Sequence, residues 1–294
     1  MVKQAVLLFE EYAEQGKKFG DYLNLPTLNV KTHLFPDNEL LITLPEPLAP
    51  HLIVFLSLDN PNQKLVKLLL SCKTARQRGV NRITLIAPYM CYMRQDTVNH
   101  PGEVISQQVI GSFLADLFDD VITVDSHLHR INKLSQAIPI KNAINLLATD
   151  GMVEFIKTVK QHHIVFGPDE ESEQWVKEIA AQTDMHYAVA KKIRKGDKDV
   201  EITLPQQNFN SKNIIIVDDM ASTGKTIALA TTLLKQAGAN EINVLVTHPL
   251  FFNEAKELLY KSGINNIYST NSISDDTNVI DLSPSLAKAF NEIP

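Results

Sequence analysis

Strand-length apolar runs alternate with amphipathic helical stretches along most of this 294-residue chain. The strands read "HLIVFLSL", "RITLIAPY", "DDVITVDSH", "HHIVFGPD", "MHYAVAKK", "DVEITLP", "NIIIVDD" and "EINVLVTHP". Between them lie "NQKLVKLLLSCKTARQRG", "GEVISQQVIGSFLADLF", the segment around "MVEFIKTVK", "ESEQWVKEIAAQ", "TIALATTLLKQAG" and "NEAKELLYKSG", with helical spacing. A strand that is apolar at successive positions is buried on both faces, which implies mainly parallel sheets covered by helices and hence an α/β fold. "LLLSCKTARQRGVNRITLIAPY" and "ALATTLLKQAGANEINVLVTHP" share one pattern of helix, glycine stop and strand, a faint internal repeat. It divides the chain into two similar domains, 1–144 and 145–294, with the last helix, "SPSLAKAFNEI", free to pack back on the first.

Such a length gives ample core for two domains. The net charge of −6 supplies no basic footprint for nucleic acid or a membrane surface, although anionic small molecules need only local cations. Cys72 and Cys91 have neither zinc nor disulfide spacing and read as buried thiols of a reducing compartment. "AVLLF" is too short for an export signal, so a cytoplasmic protein is expected.

"IIIVDDMASTGKT", residues 214–226, closes like a nucleotide-binding P-loop, yet Asp219 fills the place of that motif's first glycine. The better reading is a buried strand ending on two carboxylates, followed by a small-residue turn that opens a helix. Backbone N–H groups and the hydroxyls of Ser222, Thr223 and Thr226 would hold a phosphate monoester. Asp218 and Asp219 would hold sugar hydroxyls, directly or through Mg²⁺. Phosphate at one end and vicinal hydroxyls at the other describe a pentose 5-phosphate.

"VDDMASTGKT" resembles the ribose-phosphate loop of type I phosphoribosyltransferase folds, and the whole chain resembles the ribose-phosphate pyrophosphokinase family in its shorter, archaeal-like class. That resemblance implies two tandem type I phosphoribosyltransferase-like domains and the synthesis of phosphoribosyl pyrophosphate from Mg·ATP and ribose 5-phosphate. Asp218, Asp219, Ser222, Thr223, Gly224, Lys225 and Thr226 would bind the sugar phosphate. In "YMRQD", Arg94, Gln95 and Asp96 match ATP-binding positions. In "LFPDNELL", Phe35, Asp37 and Glu39 recur at period two, which in an extended segment puts them on one face. By resemblance they bind adenine in a neighbouring subunit, so a homodimer or larger homo-oligomer is implied.

His127 of "VDSHLH" matches the family's catalytic-site histidine near the metal, and Asp169 of "GPDEE" a Mg²⁺-associated aspartate, whereas His129 has no assignable role. Lys192 and Arg194 of "AKKIRKGDKDVEI" match a Lys/Arg pair lowered onto the reacting phosphates. Developing phosphoryl charge is what positioned cations stabilise. Three departures stand out. Ser222 and Lys225 replace Asp and Gly of many members, "TVNHPGEVIS" lacks the arginine-rich run of regulated members, and "DEES" (Glu170, Glu171, Ser172) replaces a glycine-rich pyrophosphate loop. A salvage phosphoribosyltransferase and a non-catalytic regulatory homologue are the alternatives.

Overall fold

The computed structural model describes residues 2–128, 130–159, 164–194 and 200–294. They form two compact units, residues 1–146 with 282–294 and residues 147–281. The first unit runs β1 (Gln4–Leu8), α1 (Ala13–Leu23), β2 (Thr27–Asn29), the hairpin β3 (Lys31–Leu34) and β4 (Leu40–Thr43), β5 (His51–Phe55), α2 (Pro61–Gln77), β6 (Arg82–Ala87), α3 (Ser106–Ala115), β7 (Asp120–Val124) and β8 (Asn142–Leu146). Its six-stranded sheet has the order β2-β1-β5-β6-β7-β8, with every pair parallel.

The second unit runs α4 (Thr149–Thr158), β9 (Ile164–Gly167), α5 (Glu173–Thr183), β10 (His186–Val189), the hairpin β11 (Lys191–Arg194) and β12 (Val200–Thr203), β13 (Ile214–Ala221), α6 (Lys225–Gln236), β14 (Ile242–Pro249), α7 (Ala255–Ser262), β15 (Asn266–Thr270) and β16 (Asn278–Ile280). Its sheet has the order β10-β9-β13-β14-β15-β16, again parallel, so the two units repeat one topology strand for strand. The last helix, α8 (Ser283–Asn291), belongs to the first unit.

Packing follows the apolar runs. In the first unit Val6, Leu52, Ile53, Ile83, Leu85, Val121 and Ile122 are buried. In the second, Ile214, Ile216, Val244 and Val246 join Ile227 and Leu234 of α6 and Leu259 of α7 in one cluster. Each such side chain contributes about 1.5–3 kcal/mol by leaving water.

Two helices are exchanged. α4 follows the last strand of the first unit yet packs on α5 and β16 of the second, while α8 follows the last strand of the second and packs on α1, β7 and β8 of the first. Phe290 of α8 meets Phe19 edge-on at 6.2 Å and His51 at 5.8 Å. Beneath it a polar ladder crosses the sheet. Gln4 Nε2 lies 3.0 Å from His51 Nδ1, and His51 Nε2 lies 2.9 Å from Thr84 Oγ1. Thr84 donates to Asp120, which also takes a bidentate pair from Arg82 and a bond from Asn142. Arg82 Nη1 donates on to the Pro294 carbonyl at 2.7 Å. Because the Thr84 proton is committed to Asp120, His51 donates through Nε2 and accepts from Gln4 at Nδ1, the neutral tautomer.

Two sequence expectations are corrected. The helix read from residue 102 begins only at Ser106, because Pro101-Gly102 forms a turn with Gly102 at φ +93°. Phe35, Asp37 and Glu39 do not lie on an extended segment. They form the connecting turn of the β3/β4 hairpin, closed by Phe35 N–H to Glu39 O and Asn38 N–H to Phe35 O, both 2.9 Å, with left-handed Asn38 reversing the chain.

Candidate functional site

Parallel open sheets bind ligands outside the carboxyl ends of their strands, at the point where the strand order reverses. In the second unit that point lies between β9 and β13, which are neighbours although their connections leave in opposite directions. Two candidate groups converge on this crevice. Near its end β13 carries half-buried Asp218 and buried Asp219, the Asp219 N–H donating to Asp218 Oδ1 at 3.0 Å; the strand does not stop there, as the sequence suggested, but pairs with β14 through Ala221. Asp169 lies two residues past β9 and is also buried.

Beyond Asp219 the chain turns through Ser222 and Thr223 to Gly224, the left-handed N-cap of α6 at φ +71°. A cradle behind the loop fixes its path: Phe251 N–H donates to Ala221 O at 2.9 Å and Phe252 N–H to Ser222 O at 3.1 Å. The first N–H groups of α6, from Lys225 and Thr226 onward, lack intrahelical acceptors and carry the positive end of the helix dipole, an anion site by construction. The side chain of Lys225 lines the cleft between α6 and α7 with Leu229, Thr232, Leu258 and Lys261.

Asp169 caps a 3-10 turn, Glu170–Ser172, its carboxylate accepting from Glu171 N–H at 3.1 Å while Ser172 Oγ donates to Asp169 O at 2.6 Å. Glu170 and Glu171 are exposed, so their charges are solvated. Lys192 and Arg194 stand on β11, paired with Ile202 and Val200 of β12, and their side chains lie outside what the structure describes. His129 and the turn Gly196-Asp197 are likewise outside the described residues.

In the first unit a second group gathers at the carboxyl ends of β6 and β7. Exposed Arg94 follows Tyr92, whose backbone is left-handed at φ +59°, and Gln95 Nε2 donates to Thr97 O at 3.1 Å. Half-buried His127 follows Asp125, another left-handed residue at φ +40° and 1% exposed. Strained non-glycine backbone of this kind costs about 1–3 kcal/mol and concentrates at functional loops. Arg130 Nη1 reaches Asp96 Oδ1 at 2.5 Å and ties the two loops together. Among the described residues no hydrogen bond or ring contact joins the Phe35–Glu39 turn to this group; Phe35 meets only His33, edge-on at 4.9 Å.

Sequence reasoning missed the supports. Buried Gln107 of α3 donates from its backbone to Gln95 O (3.2 Å) and from its side chain to Met93 O (3.3 Å). Asn145 of β8 accepts from Ser126 N–H at 2.8 Å. Asn145 had a signal, a polar residue inside the apolar run "NAINLL", whereas Gln107 and Arg130 had none.

The equivalent strand-order reversal of the first unit, between β1 and β5, carries different residues. The matching registers place Leu56 and Ser57 where the second unit has Asp218 and Asp219. From there the chain reaches its left-handed N-cap, Asn60, two residues sooner, and Pro61 removes one helix N–H. Asp59 is held by Lys64 at 2.6 Å and Glu11 by Lys67 at 2.7 Å, and Tyr12 stacks on Phe55 at 5.6 Å. Among the described residues, therefore, only the second unit carries two carboxylates at this strand position followed by a glycine-capped helix.

Tandem sheets of this topology, one with an acidic strand end and a phosphate-type loop, define a double phosphoribosyltransferase-type protein. Residues 141–284 match the phosphoribosyl transferase domain family, and residues 5–117 match the N-terminal domain of ribose phosphate pyrophosphokinase. The chain is 33% identical over 276 residues to the ribose-phosphate pyrophosphokinase of Sulfurisphaera tokodaii, covering 90% of this chain and 93% of that one. Identity to the Methanopyrus kandleri ribose-phosphate pyrophosphokinase is 28% over 291 residues, covering 98% and 99%. In fold it is similar to a phosphoribosylpyrophosphate synthetase from Mycobacterium smegmatis, with TM-score 0.83, 20% identity and 98% of both chains covered. The chain belongs to the ribose-phosphate pyrophosphokinase family.

Proposed function

We propose that this protein transfers the β,γ-diphosphoryl group of Mg·ATP to the 1-hydroxyl of ribose 5-phosphate, giving phosphoribosyl pyrophosphate and AMP. The observation that carries the reading is the loop Asp218–Thr226 at the strand-order reversal of the second unit, two carboxylates followed by a glycine-capped helix N-terminus. The 5-phosphate sits on the N–H groups and hydroxyls of Ser222, Thr223 and Thr226, and Asp218 and Asp219 take the ribose hydroxyls. ATP is held by Arg94, Gln95 and Asp96, with His127 and Asp169 beside its phosphates, where they would organise the magnesium ion. The 1-oxygen attacks the β-phosphorus and forms the new O–P bond. The α,β-bridging bond breaks, AMP leaves with the bridging oxygen, and the 1-hydroxyl proton is released.

Magnesium fits the donor set. It is a hard ion that keeps several waters and binds through one or two carboxylates plus phosphate oxygens. Among the described residues no three His, Cys, Asp or Glu side chains form a cage, and Asp169, Asp218 and Asp219 offer carboxylates of the right kind. When bound, the ion neutralises phosphate charge. Lys192 and Arg194 complete that neutralisation as charge moves onto the leaving oxygen.

A second copy of the chain is the partner we favour for the hairpin. Leu34, Phe35 and Leu41 on it and Val66, Leu69 and Leu70 on α2 are exposed apolar side chains of the same unit, more than scattered surface positions need. No described helix is long and apolar enough to cross a membrane.

The test follows AMP and phosphoribosyl pyrophosphate by phosphorus NMR from ATP, Mg²⁺ and ribose 5-phosphate. Turnover is expected, with Lys192→Ala and Asp219→Asn each lowering it on the order of a hundredfold or more. Pyrophosphate release from phosphoribosyl pyrophosphate and a base would identify a salvage transferase instead. A folded protein with no turnover sinks the proposal.

A further inference from the structure

Asp96 is the least expected member of the nucleotide group. Its side chain is 6% exposed, and one oxygen, Oδ1, accepts from Arg130 at 2.5 Å. The other, Oδ2, is buried and receives no hydrogen bond from the described residues. Buried carboxylate oxygens are almost always satisfied, so an acceptor fixed in place and left without a donor points to a ligand that brings one. Arg130 is 60% exposed, and most ion pairs so open to water contribute little to folding. This one, however, joins two loops that leave neighbouring strands: Asp96 follows β6 and Arg130 follows β7, three residues beyond His127. Gln107 anchors the residues just before Asp96 through Gln95 O and Met93 O. The segment is therefore held at its backbone by Gln107 and at the Asp96 side chain by Arg130, with Asp96 Oδ2 as its unused acceptor.

We infer that Arg130 is a positioning residue for the nucleotide: it orients the Asp96 carboxylate so that Oδ2 accepts a hydrogen from a donor group of bound ATP. This rests on the assignment of ATP to the Arg94–Asp96 loop made above. A guanidinium suits the task because its charge-assisted bond occupies one carboxylate oxygen and leaves the other directed elsewhere. Arg130 itself touches no reacting atom in this scheme. Its loss therefore weakens ATP binding without entering the chemical step.

The experiment compares wild type, Arg130→Ala, Arg130→Lys and, as a surface-pair control, Arg78→Ala, whose partner is Glu46 in the same unit. Calorimetric titration with a non-hydrolysable Mg·ATP analogue is run beside steady-state kinetics and thermal melting. Arg130→Ala is expected to weaken analogue binding and raise the KM for ATP about tenfold. The KM for ribose 5-phosphate, kcat and the melting temperature should stay near wild type, with Arg130→Lys recovering part of the loss and Arg78→Ala changing nothing. Unaltered ATP affinity in folded Arg130→Ala overturns the inference. A fall in melting temperature with both KM values raised does so too, by assigning Arg130 a structural role. Should wild type bind the analogue but fail to turn over, the proposed reaction fails while the titrations still decide the role of Arg130.

Discussion

Gly224 has two reasons to lack a side chain. Its φ of +71° is left-handed, and an added Cβ would sit 3.2 Å from Leu259 Cγ and 3.4 Å from Ala255 O. Gly224→Ala is expected to cost about 1–3 kcal/mol, read as a lower urea midpoint. It should also raise the KM for ribose 5-phosphate on the order of tenfold, the equivalent of about one hydrogen bond. The cysteines make the opposite point, chemistry suppressed by position. Burial pushes both the Cys72 and Cys91 thiols up to about 12, and both are 2% exposed. Since the thiolate is the reactive form, neither should react with a chromogenic disulfide at mildly alkaline pH until denaturant is added, when two equivalents should appear. A fast-reacting native thiol would contradict this burial.

Helices show where packing overrides local preference. α1, "AEQGKKFGDYL", carries two glycines that lower its helical propensity, and its sequence alone did not announce it. The glycines are there because a Cβ on Gly16 would come within 2.4 Å of Leu8 and one on Gly20 within 2.9 Å of Thr27. Gly111 of α3 is tighter still, since a Cβ would fall 1.8 Å from the Ala137 carbonyl oxygen. Gly111→Ala is therefore expected to lose about 3 kcal/mol in chemical denaturation and, by shifting α3 and Gln107, to weaken ATP binding. Strands such as β13 and β14 were legible because parallel strands covered on both sides are apolar almost throughout. β2 and β16, three residues each, are too short to carry a pattern, and β4 exposes alternate residues without a core to oppose them. The strand, turn and helix around residues 214–236 were legible from the apolar run and the small-residue turn, whereas Arg130 and Gln107 act across chain separations that no local spacing records.

Taken together, the two units differ less in topology than in the residues at their strand-order reversals, and each is completed by a helix that follows the other's last strand. Phe290, 7% exposed, anchors α8, and Phe290→Ala should cost about 3–5 kcal/mol. Removing residues 282–294 should speed amide exchange in α1 and β1 while β13 and β14 stay protected; uniform loss across both units would refute their separate identity. The same docking surface titrates. Burial, and then the Arg82 charge, hold the His51 imidazole below its ordinary 6.5. The folded state thus binds fewer protons than the unfolded chain. This contribution is full above about pH 6.5 and is lost as pH falls through that value toward the depressed folded one. His51→Gln should flatten the fall in stability seen in that window.

The exchange of α8 also separates the order in which the chain is made from the order in which it is finished. The first unit's strands leave the ribosome early, but the helix that covers α1 follows only after residues 147–281 have been synthesised, a delay on the order of ten seconds. During that interval the nascent first unit presents an uncovered apolar face around Phe19, while the second can close as soon as its own last strand emerges. The part begun first is completed last, so the first unit matures only in molecules whose translation has passed through the second.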